Sequence, residues 1–174
     1  MYHHFVVTRL WILLLLAAAG CSRPSETSDA ARQDQPFEGV SSAIRVADPQ
    51  AAPQLLKGWH LVEEDRWRWT ERKFSLALKI PATGKPATLE LKFSLPEAVL
   101  SRLGPVTLAA TINGVPLPKE TYTQSGDQTY TRAVAGEALT GAIARLDFEL
   151  DKALPPNDVD KRELGLVVST VALR

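Results

Sequence analysis

The sequence predicts an all-β fold: an antiparallel β-sandwich of jelly-roll type with one or two short helical turns, carried behind an N-terminal leader and a tether. Three observations predict it. Beyond Lys57, apolar residues recur at every second position in short segments, the spacing that sends alternate side chains to opposite faces of a sheet. Gly, Pro and Asn cluster between these segments, as turns require. No stretch between them carries the apolar stripe of a long amphipathic helix, which points to a sandwich rather than an α/β fold.

The elements follow in chain order. Met1 to Arg9 carries one fixed positive charge, and Leu10 to Gly20 is an uncharged run that includes Leu13, Leu14, Leu15 and Leu16. A membrane-spanning helix needs roughly 20 apolar residues, so this run is too short to cross a bilayer. It has instead the length of a signal-peptide apolar region ending in small residues, which makes 1–20 a leader. Ala17-Ala18-Ala19-Gly20-Cys21 resembles the lipobox of bacterial lipoproteins, with Ala18 where that family usually carries leucine. The resemblance implies cleavage between Gly20 and Cys21, a diacylglyceryl group on the Cys21 sulfur and acylation of the new amine, palmitate being the type of chain expected. Two or more acyl chains hold a protein firmly where one binds only marginally. Ser22 follows, where an aspartate often retains such proteins in the inner membrane, so the outer membrane is the expected location in a diderm host. The competing reading is an ordinary secretory leader with an incidental cysteine, which would leave an exported thiol unpaired.

Residues 21–54 are rich in Ser, Ala, Gln, Asp and Pro and read as a lipidated N-terminus and flexible linker, although Ile44 to Val46 has the composition of an edge strand. The sandwich domain is assigned to 55–174. Phe74 to Ile80 and Leu89 to Leu95 alternate apolar with small or polar residues and read as an antiparallel hairpin turned by Pro81 to Pro86. Between Pro96 and Leu103 a short helix is expected, with Glu97 in its first turn and Gly104-Pro105 ending it. Val106 to Ile112 runs into Asn113-Gly114, a strong hairpin signal because both residues tolerate positive φ. Pro116 and Pro118 push the return strand to an edge, since proline donates nothing to a ladder. Ala142 to Leu150 and Leu164 to Leu173 complete the set, joined by a polar, proline-rich loop from Asp151 to Arg162.

Composition narrows function. At 45% hydrophobic and 23% charged residues the chain is that of an ordinary globular protein. Lys+Arg and Asp+Glu both number 20, and loss of the leader removes only Arg9. The mature chain therefore lacks the basic field that holds nucleic acid. With one cysteine and a single histidine, His60, outside the leader, a His/Cys zinc cluster is not expected, and nothing calls for a cofactor. Gly-x-Ser-x-Gly, a phosphate-binding glycine loop, His-Glu-x-x-His and an EF-hand loop are all lacking from the sequence.

The densest unusual feature is aromatic. Three of four tryptophans fall in Gly58-Trp59-His60 and Trp67-Arg68-Trp69-Thr70. Trp59, Trp67, Arg68 and Trp69 are the candidate ligand-binding residues: an indole face covers the apolar face of a pyranose, and polar neighbours meet its hydroxyls. On a strand Trp67 and Trp69 share one side, with Arg68 opposite. If that side is solvated they form a stacking platform; the preferred reading is that the rings fill the core or its end, as large aromatics usually do in small β domains. Glu63-Glu64-Asp65 offers carboxylates for a calcium site or acid–base chemistry, but an acidic turn normally faces water. Asp147, Glu149 and Asp151 alternate along one strand and read as its wet side.

Gly58-Trp59, Trp67-Arg68-Trp69-Thr70, Asn113-Gly114 and Asp160-Lys161-Arg162-Glu163-Leu164-Gly165 together resemble a β-sandwich module appended to bacterial cell-surface glycan enzymes and also found in standalone exported proteins. The resemblance covers roughly 57–174. It implies a jelly-roll-like module associated with carbohydrate, and it brings no assigned binding residues with it. Arg162 and Glu163 read as an ion pair pinning the last loop. The leading expectation is thus a membrane-anchored, non-catalytic envelope module that binds glycan. A structural or assembly lipoprotein binding an envelope protein, and a glycoside hydrolase using carboxylates near Glu63 to Asp65, stand as alternatives.

Overall fold

The computed structural model describes residues 39–174, so the leader, Cys21 and most of the tether lie outside the described residues. Among the described residues nine strands form the domain: β1 (Ala43–Arg45), β2 (Leu55–Glu63), β3 (Trp67–Lys79), β4 (Ala87–Leu95), β5 (Val106–Ile112), β6 (Val115–Tyr122), β7 (Gly126–Val134), β8 (Ile143–Leu150) and β9 (Val167–Leu173). One short helix, α1 (Glu97–Leu103), sits between β4 and β5, and Gly104 closes it at φ +68°. Every strand pairing is antiparallel. The main path runs β6-β5-β8-β3-β9-β4-β7, with β2 added beside β3 and β1 beside β9. The described residues form the expected antiparallel sandwich, and it is nearly closed.

Period-two burial explains why these segments are strands. Leu89, Leu91, Phe93 and Leu95 of β4 are buried, as are Val106, Leu108, Ala110 and Ile112 of β5, while the residues between them face outward. The inward set makes one core, in which Phe74 stacks on Phe148 with centroids 4.9 Å apart and Tyr130 meets Phe148 edge-on at 6.5 Å. Asn113 and Gly114 turn β5 into β6 at φ +49° and +82°, and β6, with its two prolines, ends the path. Side chains then bridge β6 to β7, the two ends of that path. Arg132 donates to the Pro118 carbonyl at 2.8 Å and to Glu120 at 2.7 Å, and the Tyr130 hydroxyl donates to Pro118 at 2.8 Å.

The structure corrects three expectations. The segments at Phe74–Ile80 and Leu89–Leu95 are not a hairpin: β9 lies between β3 and β4. The start of β3 pairs with β9 through Trp69 and Val167, whereas its second half pairs with β8 and β1 takes its place beside β9. The Pro81–Pro86 segment therefore joins strands that are not partners, because the strongly apolar closing strand gains more buried area between them than at an edge. The assigned tether also overruns the domain. Ile44 and Val46 are buried, and Gln54, 3% exposed, ties Ser41 to Ala77 through its side-chain amide. Finally, β2 and β7 are strands that the sequence reading leaves out, although Gln128 to Val134 does alternate.

Thr70 fixes β9 against β3. Its hydroxyl, fully buried, accepts from the Leu166 amide at 3.1 Å, and its carbonyl accepts from Gly165 at 2.7 Å. A side chain on Gly165 would stand 2.8 Å from that hydroxyl, so the approach requires glycine.

Candidate functional site

The four candidate ligand-binding residues divide into two pairs. Trp59 packs edge-on against Phe74 at 5.2 Å, and its indole N–H donates to the Ser75 carbonyl at 2.8 Å. Arg68 donates to the Val46 and His60 carbonyls at 2.7 and 2.9 Å. Both side chains are thereby committed to holding β2 and the segment after β1 onto the sandwich. The neighbouring His60 is equally occupied, its Nε2 lying 2.7 Å from the Glu163 carbonyl.

Trp67 and Trp69 behave differently. In β3 the residues that enter the core are even-numbered, including Thr70, Phe74, Leu76 and Leu78, so the two rings stand on the outer face. Trp69 is half-buried and also rests against the core; Trp67 is half-exposed beside the turn. The expected core location is met in part by Trp69, which packs against the core, and not by Trp67, because register rather than hydrophobicity decides which face a strand residue takes. Together the rings form one wall of a groove of about 720 Å³ that crosses four strands.

Register shows how the rest is assembled. Trp69 pairs with Val167, Val167 with Ser94, and Ser94 with Asp127, giving one outward row across β3, β9, β4 and β7. Beside that row Lys92 pairs with Thr129 and with Thr170, and a register shift leaves Ser169 unpaired on β9, where it lines the groove together with Trp67. Small side chains at Ser94, Val167 and Ser169 make a low floor between the tall tryptophans and the polar β7 wall. Lys92 lies 3.4 Å from Glu90, which offsets its charge. Asp127 is exposed and lines the groove from β7. Such a groove offers apolar faces on one side and hydroxyl, amide and charged groups on the other.

The acidic candidates do not converge. Glu64 and Asp65 occupy the β2–β3 turn at φ +49° and +53°, exposed and outside the groove's lining. Glu63 does reach the groove, yet its carboxylate accepts from Arg162 at 2.7 Å. Arg162 also holds Asp160 at 2.8 Å, and these bonds keep the Asp160 carboxyl down at about 2. The expected Arg162–Glu163 pair is therefore replaced: Arg162 binds carboxylates that reach it from the end of β2 and from its own loop, while Glu163 accepts from the Arg72 amide at 2.9 Å. Asp147 and Glu149 lie on the wet face as expected, paired with Arg145 and with Arg72 and Lys73. Among the described residues no group of three or more His, Cys, Asp or Glu side chains is placed to hold a metal ion.

Sequence reasoning found the two rings but missed the floor and far wall. Ser94, Val167 and Ser169 lie on strands that the sequence predicts, whereas Asp127 and Thr129 belong to β7, which it does not.

No protein-family model matches the sequence, and no curated protein matches it. Solved structures of similar shape include a family 35 carbohydrate-binding module from an environmental isolate, at 9% identity and a TM-score of 0.49 over 76% of this chain and 91% of that one. The C-terminal domain of EclA, a sugar-binding protein, is similar at 11% identity and a TM-score of 0.42, over 79% and 81% of the two chains. A third is the CBM36-1 domain of a multidomain xylanase from the hindgut metagenome of Trinervitermes trinervoides, at 8% identity and a TM-score of 0.42, over 76% and 94%. These are likenesses of shape between chains with few residues in common, and the groove has to be read from its own side chains.

Proposed function

We propose that the domain is a non-catalytic glycan-binding module held at a cell-envelope membrane, the outer membrane in a diderm cell, by acyl chains on Cys21. The observation that carries the binding half is the outward pair Trp67 and Trp69 facing Ser94, Lys92, Asp127 and Thr129 across a groove floored by small residues. Sugar rings need that combination of an apolar face and nearby hydroxyl partners. The anchoring half rests on the lipobox sequence, and no described helix is long and apolar enough to cross a membrane.

A glycan array and pull-downs with envelope polysaccharide test the binding half. Wild type should retain glycan, while Trp67→Ala and the floor-filling Ser94→Phe should lose it at unchanged melting temperature. Retention by both variants refutes the groove as the site. Labelled palmitate should enter the wild-type protein and not Cys21→Ala; equal labelling of the two refutes the anchor.

One observation favours a second reading, binding of an envelope protein: the edge strand β2 exposes Leu56, Leu61 and Val62, Leu61 being 82% accessible. A photocrosslinker at position 61 that captures a single envelope protein in cells, and loses it when the strand is made polar, would support that reading.

A further inference from the structure

We infer that the groove takes the interior of an extended, equatorially linked polysaccharide, lying parallel to β3 with two consecutive sugars stacked on Trp69 and Trp67; this rests on the glycan reading of the groove. Two residues along a strand span about 6.6 Å, on the order of one pyranose repeat in an extended chain. Both rings stand on one face, so their platforms follow the strand direction and do not enclose a point.

Each ring also heads its own set of polar groups. Trp69 has Val167, Ser94 and Asp127 in its row; on the Trp67 side the groove is lined by Ser169, Lys92 and Thr129, Lys92 pairing with Thr129 and Thr170. Each ring thus shares the groove with a hydroxyl and a charged group. Two platforms at a one-sugar interval suit a repeating ligand, and Asp127 in the row of Trp69 against Lys92 on the Trp67 side makes the two subsites unlike, which fixes the chain's direction. The volume, about 720 Å³, is in the range that holds drug-sized ligands and exceeds what one monosaccharide needs.

The lining consists of strand residues, with Arg66 of the β2–β3 turn as the exception, so loops do not build a blind end that would select a chain terminus. Equatorial linkages keep successive pyranoses in a flat ribbon that can lie along two platforms in line. Axial linkages curl the chain away from the second ring.

Calorimetric titration of the full-length protein with cello-, chito- and xylo-oligosaccharides, each from monosaccharide to hexasaccharide, and with the α-1,4-linked glucose series, tests this. In at least one β-linked series affinity should rise about tenfold from one sugar to two, the weight of one added aromatic contact. Trp67→Ala should flatten that rise, and Trp67→Phe should restore part of it. A monosaccharide that binds as well as its tetrasaccharide, or an α-linked series that binds as well as the β-linked ones, overturns the inference while leaving the glycan reading in place. An array on which only chain-terminal sugars bind does the same. Binding to no series and to no glycan on the array overturns both.

Discussion

Gly58 offers the sharpest separation of backbone strain from steric contact in this fold. It lies in β2 at φ +74°, where the register against β3 shifts on either side, and its missing side chain lets β2 lie directly on β3. A Cβ there would fall 2.1 Å from the Lys73 carbonyl oxygen and 2.9 Å from the Phe74 Cα, both backbone atoms that cannot swing aside. Gly84 has nearly the same φ, +72°, but open space where its Cβ would be. Alanine at Gly84 should therefore cost only the left-handed strain, about 1–2 kcal/mol. Alanine at Gly58 adds overpacking, typically about 1–3 kcal/mol, for a total of roughly 2–5 kcal/mol. For a domain of this size about 1 kcal/mol corresponds to a shift of about 4 °C, so Gly58→Ala should melt on the order of 10 °C or more below wild type and Gly84→Ala about 4–8 °C below. Urea unfolding at constant m-value gives the free energies, and near-ultraviolet circular dichroism reports whether Trp59 keeps its seat on Phe74. Equal losses for the two variants would refute the close β2–β3 contact as the reason for glycine at 58.

Three further expectations follow from particular contacts. Thr70→Val keeps shape but strands the buried Leu166 amide, which should cost roughly 1–3 kcal/mol in urea unfolding; a neutral result would mean that this amide is satisfied elsewhere. Replacing Glu64-Asp65, both at positive φ, by Asn-Gly should stabilise the domain by about 1 kcal/mol and leave glycan retention unchanged, since neither side chain lines the groove. The Asp160 carboxyl is held at about 2 against an ordinary 3.8 by its bonds to Arg162, so its contribution to stability is present above pH 3.8 and is lost as pH falls toward 2. Asp160→Asn should flatten the acid limb of urea-midpoint-against-pH data across that window, and an unchanged limb would remove the Arg162 bonds as its cause.

The local elements were legible because their causes are local. Asn113 and Gly114 can both hold positive φ, Gly104 can close α1, and two prolines disqualify β6 from a central position; each needs only near neighbours in sequence. The long-range pairings were not legible. Period two says that Trp67 and Trp69 share a face but not which face, and the choice was made by Thr70 and Phe74 turning inward when β9 docked on β3.

Sequence alone determined that the chain is built of alternating strands, that its first 21 residues resemble a lipoprotein leader and lipid-bearing cysteine, and that two indole rings stand side by side. Tertiary structure decided that the closing strand separates two segments that looked like partners, and that Trp59 and Arg68 are braces while Trp67 and Trp69 face a groove. The physical reason is one of range. Alternation and turn preference are properties of a few consecutive residues, whereas a groove is made by side chains from four strands whose registers are set only when their inner faces pack.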